Sequence, residues 1–405
     1  MSSVRRLVII GGGAAGIGAA TEARRRGIDA LIVEAKDRLG GRAHSIDWNG
    51  YRLDLGCTWL HSAQRNSLRA VAERIGAEVD HSPTRWFSQF RDLGFSPDEQ
   101  AQAWAAFERL EERMRSSPPA SDRASDCLEV DDSWNPFLNA ISGYINGAAL
   151  DQVSIADWLA YDNASSDQNL RLARGYGGLL VSLGGAFEHR LRTPAHAVSR
   201  LKEAVRIETD GGVIEAQRVV VAVPTSVLHL IRFDPPIETA LEAAEQLPLG
   251  VADKLFLSLD DPHEFPHAAH LIGNPHSPNT GSYFIRPLGM PVVECFFGGP
   301  GARELEELQE AGAAAFAIEE LATLLGSDFR KRLRPIAFSS WAHEPWISGS
   351  YSHALPGQAG ERTRLASAGD DRIAFAGEAI SAEDYSTAHG AFDTGRAAIA
   401  RLFGE

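Results

Sequence analysis

Arg5-Arg6-Leu7-Val8-Ile9-Ile10-Gly11-Gly12-Gly13-Ala14-Ala15-Gly16 is the stretch that decides the fold. Its first six residues carry the apolar run of a buried parallel strand, and the glycines follow with no spacer. Ile17 to Arg26 has helical composition, and Ala30-Leu31-Ile32-Val33 reads as a second strand closed by Glu34. In such a unit Gly11 permits the tight turn, Gly13 lets a pyrophosphate approach the backbone, and Gly16 lets helix and strand pack closely. The helix start at Ala14 and Ala15 offers free N–H groups and a positive dipole end to phosphate. Glu34, with Ala35 beside it, stands where ribose hydroxyls are held. A glycine triplet alone is a weak signal. With the strand before it, the helix after it and the acid at this spacing, it points to a bound dinucleotide.

The chain around this unit has 405 residues, 44% of them hydrophobic, enough for a sizeable core and two or three domains. No apolar run approaches the ~20 residues that cross a bilayer. The N-terminal apolar stretch opens a folded unit rather than a signal peptide. A soluble, cytoplasmic protein is therefore expected. The net charge of −15 disfavours nucleic acid and anionic membranes as partners and is compatible with a cationic substrate. Cys57, Cys127 and Cys295 lie far apart and form no CxxC, which suits a reducing compartment and gives no zinc site. His263, His267 and His270 read as incidental loop histidines, because Pro262 and Pro266 break any helix that would align them. No metal is expected.

Helical patterns run over 66–75, 97–115, 134–149 and 151–160, and from Gly175 to about Leu191, with a polar, mobile loop over 116–126. Strands then take over: Ala204–Glu208, a turn at Asp210-Gly211-Gly212, Val213–Ala216 and Arg218–Val223 read as a hairpin feeding a buried strand. Lys254–Leu259, Ser282–Ile285 and Pro291–Phe297 are further strands, and Glu304–Leu325 is an amphipathic helix. The chain closes on a buried strand, Arg372–Ala376, and a helix from Gly390 to Phe403. This order predicts an α/β protein in which one Rossmann-like cofactor domain (1–73, 193–248 and 340–405) is interleaved with one α+β substrate domain (74–192 and 249–339).

Five separated segments together resemble the flavin-dependent amine oxidases, and among them the polyamine oxidases most. They are the opening unit with Arg38-Leu39-Gly40-Gly41-Arg42; Leu55-Gly56-Cys57-Thr58-Trp59-Leu60-His61; Leu249-Gly250-Val251-Ala252-Asp253-Lys254-Leu255-Phe256-Leu257; Trp341 with Gly349-Ser350-Tyr351-Ser352; and Phe375-Ala376-Gly377-Glu378 with Tyr385-Ser386-Thr387-Ala388-His389-Gly390-Ala391. The resemblance implies FAD, with Gly41 and Arg42 at the pyrophosphate, Val198 at the adenine and Glu378 at the ribityl or ribose hydroxyls. Leu55, Gly56, Cys57 and Thr58 join the cofactor wall, Trp341 packs on the isoalloxazine, and the backbone of Thr387 and Ala388 meets the pyrimidine ring. Monoamine oxidases attach flavin through a cysteine where this chain has Ser350, so non-covalent FAD is expected.

The resemblance also implies the chemistry. Hydride passes from the amine α-carbon to flavin N5, the imine hydrolyses, and O2 reoxidises the flavin to give H2O2. Lys254 corresponds to the lysine that holds a water against N5. Tyr351 and Thr387 face each other across the reactive side, Tyr385 adds a ring, and His61, with a pKa near neutrality, is placed to tune the charge of an incoming amine. Trp59 stands where L-amino-acid oxidases clamp a carboxylate with arginine, which disfavours amino acids unless Arg65 substitutes. Asp131, Asp132 and Glu294 are candidates by charge for a distal ammonium. The alternatives are a desaturase or dehydrogenase of an apolar substrate with a quinone acceptor, or an FAD-holding protein without catalysis. Oligomeric state is not legible.

Overall fold

The computed structural model describes residues 4–86 and 88–404. Strand Arg5–Ile10 lies inside an eight-stranded sheet, parallel to Ala30–Val33 on one side and to Gly212–Val221 on the other. Glu188–Arg190 extends the sheet beyond Ala30–Val33, and Ile373–Phe375 pairs in parallel with Gly212–Val221. Val205–Thr209, Ala195–Arg200 and Arg232–Asp234 complete it. Leu7, Val8 and Ile9 are fully buried because helices cover both faces, the usual fate of a parallel strand. On one face the first helix, Ala14–Arg25, packs directly on the last, Ala388–Phe403. A Cβ at Gly18 would overlap the Phe392 carbonyl, so the two backbones meet without side chains between them. On the other face Ala240, Ala243 and Leu365 pack against Val198, Ile207 and Val219.

A second sheet is wholly antiparallel: Ala269–Ile272, Ser282–Ile285, Val292–Gly298, Ala252–Leu259 and Leu333–Phe338 in spatial order. The long helix Gly299–Leu325 covers it, broken at Gln309 by a backbone turn to φ 60°. Pro97–Ser116, Asn135–Asn146 and Ile155–Ala164 form a helical group around Phe95, Trp134, Phe137 and Trp158. Ser96 and Glu99 start its first helix with reciprocal side-chain-to-backbone bonds, a box that stabilises a helix by about 1 kcal/mol.

Several expectations need correction. The helix opening at Gly175 ends at Gly184, and Glu188–Arg190 is a strand of the first sheet. Gly184-Gly185 breaks the helix, and the strand escapes notice because a polar edge strand has no apolar period. A domain border at 192 is therefore too late; the chain has rejoined the nucleotide sheet by Glu188. Val213–Ala216 and Arg218–Val223 are not two strands. Gly212–Val221 is continuous, serving the hairpin through one edge and Arg5–Ile10 through the other. His270 is not on a loop but on a buried strand, with its ring nitrogens on Ser282 Oγ and the Ser88 carbonyl.

One ion pair ties the helical group to the C-terminal part of the chain. Arg362, 1% exposed, forks onto both carboxylate oxygens of Asp157 at 2.6 and 2.7 Å, and also donates to Ser352 Oγ and the Ala379 carbonyl. Removing one partner leaves an uncompensated buried charge, so Arg362→Met should cost about 3–5 kcal/mol, read as a lower urea midpoint. An unchanged midpoint would contradict this. Burial also pushes His44, His61, His270 and His353 down to about 4 each. Their unfolded value is about 6.5, so their contribution is complete above that pH and is lost as pH falls toward 4. Thermal melting should show stability dropping across that window; a flat melting temperature there would show that these rings are protonated in the fold.

Candidate active site

A cavity of about 900 Å³ joins the glycine turn to the second sheet. Gly11, Gly13, Ala14, Ala15, Glu34, Ala35, Gly41 and Arg42 line it, as do Leu55, Gly56, Cys57, Thr58, Trp341, Gly377, Glu378 and Ala388. So do Lys254, Tyr351, Thr387, Tyr385, Trp59 and His61. Two expected residues are not on its wall. Gly16 lies under the turn, where a Cβ would overlap the Gly11 carbonyl, so its task is helix–strand packing. Val198 is fully buried in the core against the sheet's second helical layer; Thr193, Pro194, Ala195 and Val223 line the cavity instead. The Val198 side chain thus points into the core and not to the cavity expected to hold the adenine.

The glycine end is built to receive a phosphate-bearing cofactor. Gly13 caps the helix Ala14–Arg25 without any side-chain hydrogen bond, leaving its first N–H groups for a ligand. Gly41, at φ 57°, brings its Cα so near Gly13 that an added Cβ would sit 3.1 Å from the Gly13 Cα. Glu34 accepts from the N–H groups of Gly12 (2.6 Å) and Lys36 (2.8 Å), and burial pushes its carboxyl up despite them. Arg42 donates to the Ser350 carbonyl at 2.7 Å and to Glu378 at 2.8 Å. Glu378 accepts in addition from Ser352 Oγ and the Ser386 N–H. Burial alone would raise its carboxyl; Arg42, Ser352 and Arg362 outweigh that and hold it below the ordinary range. The free N–H groups, the glycine cradle and the arginine all fit the diphosphate of a dinucleotide.

At the second sheet the cavity meets a buried cation. Lys254, 6% exposed, donates to Thr58 Oγ1, to the Asp54 carbonyl at 3.2 Å and to Glu294 Oε1 at 3.0 Å. The other oxygen of Glu294 takes Arg171 at 2.6 Å. Burial pushes Glu294 up, but the two cations dominate and bring its carboxyl down to about 2. Glu294 is thus committed to protein cations, which corrects its candidacy for a substrate ammonium. Asp131 is exposed, Asp132 is paired with Arg109, and neither lines the cavity.

Around Lys254 the wall is aromatic. Trp341 donates its indole N–H to the Leu55 carbonyl at 3.2 Å, and Tyr351 donates to the Tyr144 carbonyl at 2.6 Å. Tyr385 bonds the Asp157 carbonyl and lies under the Arg362 guanidinium, 3.8 Å from its ring centre. The Thr387 hydroxyl accepts from the Gly390 N–H and donates to the Asp384 carbonyl, capping the last helix. Trp59 is crossed edge-on by Trp86 and covered by Arg171 at 4.3 Å. His61 corrects the expectation of a near-neutral pKa: its ring is buried against Asn169, and burial holds it at about 4, so it stays uncharged near pH 7. Arg65 pairs with Asp384 at 2.5 Å and is not on the cavity wall.

Sequence reasoning missed Arg171, Asn169, Tyr144 and Trp86, all brought to Lys254, His61, Tyr351 or Trp59 by folding. The alternation Leu170-Arg171-Leu172 was the available signal for a strand there.

Residues 93–402 match the family model described as flavin containing amine oxidoreductase, and residues 9–75 match an NAD(P)-binding Rossmann-like domain. Polyamine oxidase 2 of Arabidopsis thaliana is 27% identical over 96% of this chain and 86% of its own length. Polyamine oxidase 3 of Oryza sativa subsp. japonica is 28% identical over 96% and 87%. Among solved structures, wild-type putrescine oxidase bound to putrescine superposes with a TM-score of 0.80 at 19% identity, covering 100% of both chains, a likeness of fold. With its glycine cradle, its buried lysine and most of its length matched to one family model, the chain belongs to the flavin containing amine oxidoreductases.

Proposed function

We propose that this protein is an oxidase of primary or secondary amines, with polyamines and short diamines as the substrate class, FAD held without a covalent link, and O2 as acceptor. One observation carries the reading: a single cavity connects the phosphate cradle to a buried lysine on an aromatic wall. The polyamine oxidases and putrescine oxidase named above support the substrate class. We assign residues 1–73, about 188–248 and 340–405 to holding FAD, and the remainder to shaping the substrate space.

FAD, when bound, supplies the two-electron acceptor for the amine C–H bond. The protein's own groups do the rest. Gly11, Gly13, Ala14, Ala15, Gly41 and Arg42 would hold the diphosphate, and Glu34 the ribose. Glu378, already carrying Arg42 and Ser352, would meet the ribityl chain through its remaining lone pairs. Lys254, its three N–H groups met by Thr58, the Asp54 carbonyl and Glu294, fixes a positive charge at the reacting side. Tyr351, Tyr385 and Trp59 orient an amine by packing and cation–π attraction. His61, uncharged, keeps this wall free of a third cation, which favours entry of the amine end in its neutral form. Cys57 is the thiol on the cavity wall, and burial pushes it up to about 11, so little thiolate exists to attack flavin. Cys57, Cys127 and Cys295 are all free, which supports a reducing, cytoplasmic setting.

Anaerobic mixing with a panel of mono-, di- and polyamines should bleach the oxidised flavin band with at least one member, and admitting air should then yield H2O2 equal to the amine consumed. Bleaching without peroxide, with turnover restored by a quinone, would replace the oxidase by a dehydrogenase. Acid precipitation should leave a yellow supernatant over a colourless pellet; flavin retained in the pellet would overturn the non-covalent assignment.

A further inference from the structure

The lysine is part of a buried cluster with an uneven charge count. Lys254 and Glu294 are diagonal neighbours on one face of two paired strands, because Phe256 stands opposite Glu294 in the ladder. Arg171 arrives from a separate three-stranded sheet and takes the carboxylate oxygen that Lys254 leaves open. Its guanidinium is held between the rings of Trp59 and Phe284, 4.3 and 5.4 Å from their centres. Lys254, Arg171 and Glu294 thus set two cations beside one shared carboxylate, with the buried Asp54 carboxyl interacting with both Lys254 and Glu294.

An isolated lysine–glutamate pair in such surroundings can discharge itself. The proton passes from the ammonium to the carboxylate, and both groups become neutral. Arginine cannot give up its proton at any working pH, so its charge holds the shared carboxylate ionised. With Glu294 pinned as an anion, Lys254 has no internal base to receive its proton. The other titratable groups facing Lys254 do not change this. His61 is uncharged, Cys57 is a thiol, and the Asp54 carboxyl is occupied by Ser45 and the Tyr176 N–H while only its carbonyl meets the ammonium.

We propose that Arg171 and Glu294 are a positioning pair that keeps Lys254 protonated and aimed into the cavity throughout turnover. A fixed positive charge then faces the place where O2 is reduced, at neutral and alkaline pH alike. This rests on the oxidase reading. O2 takes two electrons from reduced FAD and two protons from reduced FAD and solvent to become H2O2; Lys254 contributes charge to the anion that develops on the way and keeps its own proton.

The test uses the purified holoenzyme and its Glu294→Gln, Glu294→Asp and Lys254→Met variants. The rate constant for reoxidation by O2 should be flat between pH 7 and pH 10 in the wild type. In Glu294→Gln it should fall about tenfold or more over that range, because Lys254 beside Arg171 and an amide loses its proton there. Glu294→Asp should restore the flat profile, which a merely structural defect would not do. Independently of activity, acetic anhydride labelling read by mass spectrometry should find Lys254 protected at pH 8 in the wild type and reactive in Glu294→Gln. A flat reoxidation profile with protected Lys254 in Glu294→Gln would overturn the pair's role, provided Lys254→Met slows reoxidation. Unchanged reoxidation in Lys254→Met would instead overturn the role of Lys254 in the oxidase itself. Should Glu294→Gln not fold, Arg171→Met replaces it: the pair left alone discharges itself, so reoxidation should be slow across the whole range and Lys254 labelled at pH 8; wild-type behaviour there also overturns the proposal.

Discussion

Arg42 and Glu378 are 336 residues apart in sequence and 2.8 Å apart in space, and the cavity is assembled around that ion pair. Arg42 also fastens the Ser350 carbonyl, and Glu378 fastens Ser352 Oγ and the Ser386 N–H. Three distant segments are thereby brought to one side of the glycine turn. Arg362 continues the same network outward, joining Ser352 and Ala379 to Asp157 of the helical group. Glu378, Arg362 and Asp157 are buried and Arg42 is half-buried, and each bonds to a partner from another segment, the condition under which buried ions are tolerable at all. Cofactor cradle, substrate wall and helical group are thus parts of one electrostatic framework.

That framework explains why the reactive wall is so heavily furnished. A lone ammonium is costly to bury among aromatic rings; Lys254 has its three N–H groups met by Thr58, the Asp54 carbonyl and Glu294. The aromatic rings are likewise tied by their polar atoms, Tyr351 to Tyr144, Tyr385 to Asp157 and Trp341 to Leu55. Their hydroxyl and N–H groups are spent on protein carbonyls, so what they present to a ligand is ring surface.

What could be read from the sequence was whatever local periodicity or a dense motif encodes. The strand–glycine–helix unit, the acid at Glu34, the Asp253-Lys254 pair and the glycines at 349 and 377 carry their meaning in neighbouring residues. The residues lost to sequence reasoning owe theirs to tertiary neighbours. Arg171 looks like any strand arginine until folding sets it between Trp59, Phe284 and Glu294. His61 has an ordinary imidazole until burial removes its proton. Val198 was assigned by resemblance alone, and its burial in the core comes from tertiary packing that its neighbours His196 and Arg200 do not advertise. Glu188–Arg190 was misplaced because an edge strand advertises nothing.

The bare backbone contact between the first and last helices, at Gly18 and Phe392, has a consequence for biosynthesis. The glycine turn leaves the ribosome early, yet the helix that buttresses it and the Glu378 that anchors Arg42 leave late. Until they arrive, the nascent phosphate cradle has no second wall, and its apolar strand lacks Ile373–Phe375 on the neighbouring Gly212–Val221. The cradle is therefore complete only once residue 378 and the last helix have joined it.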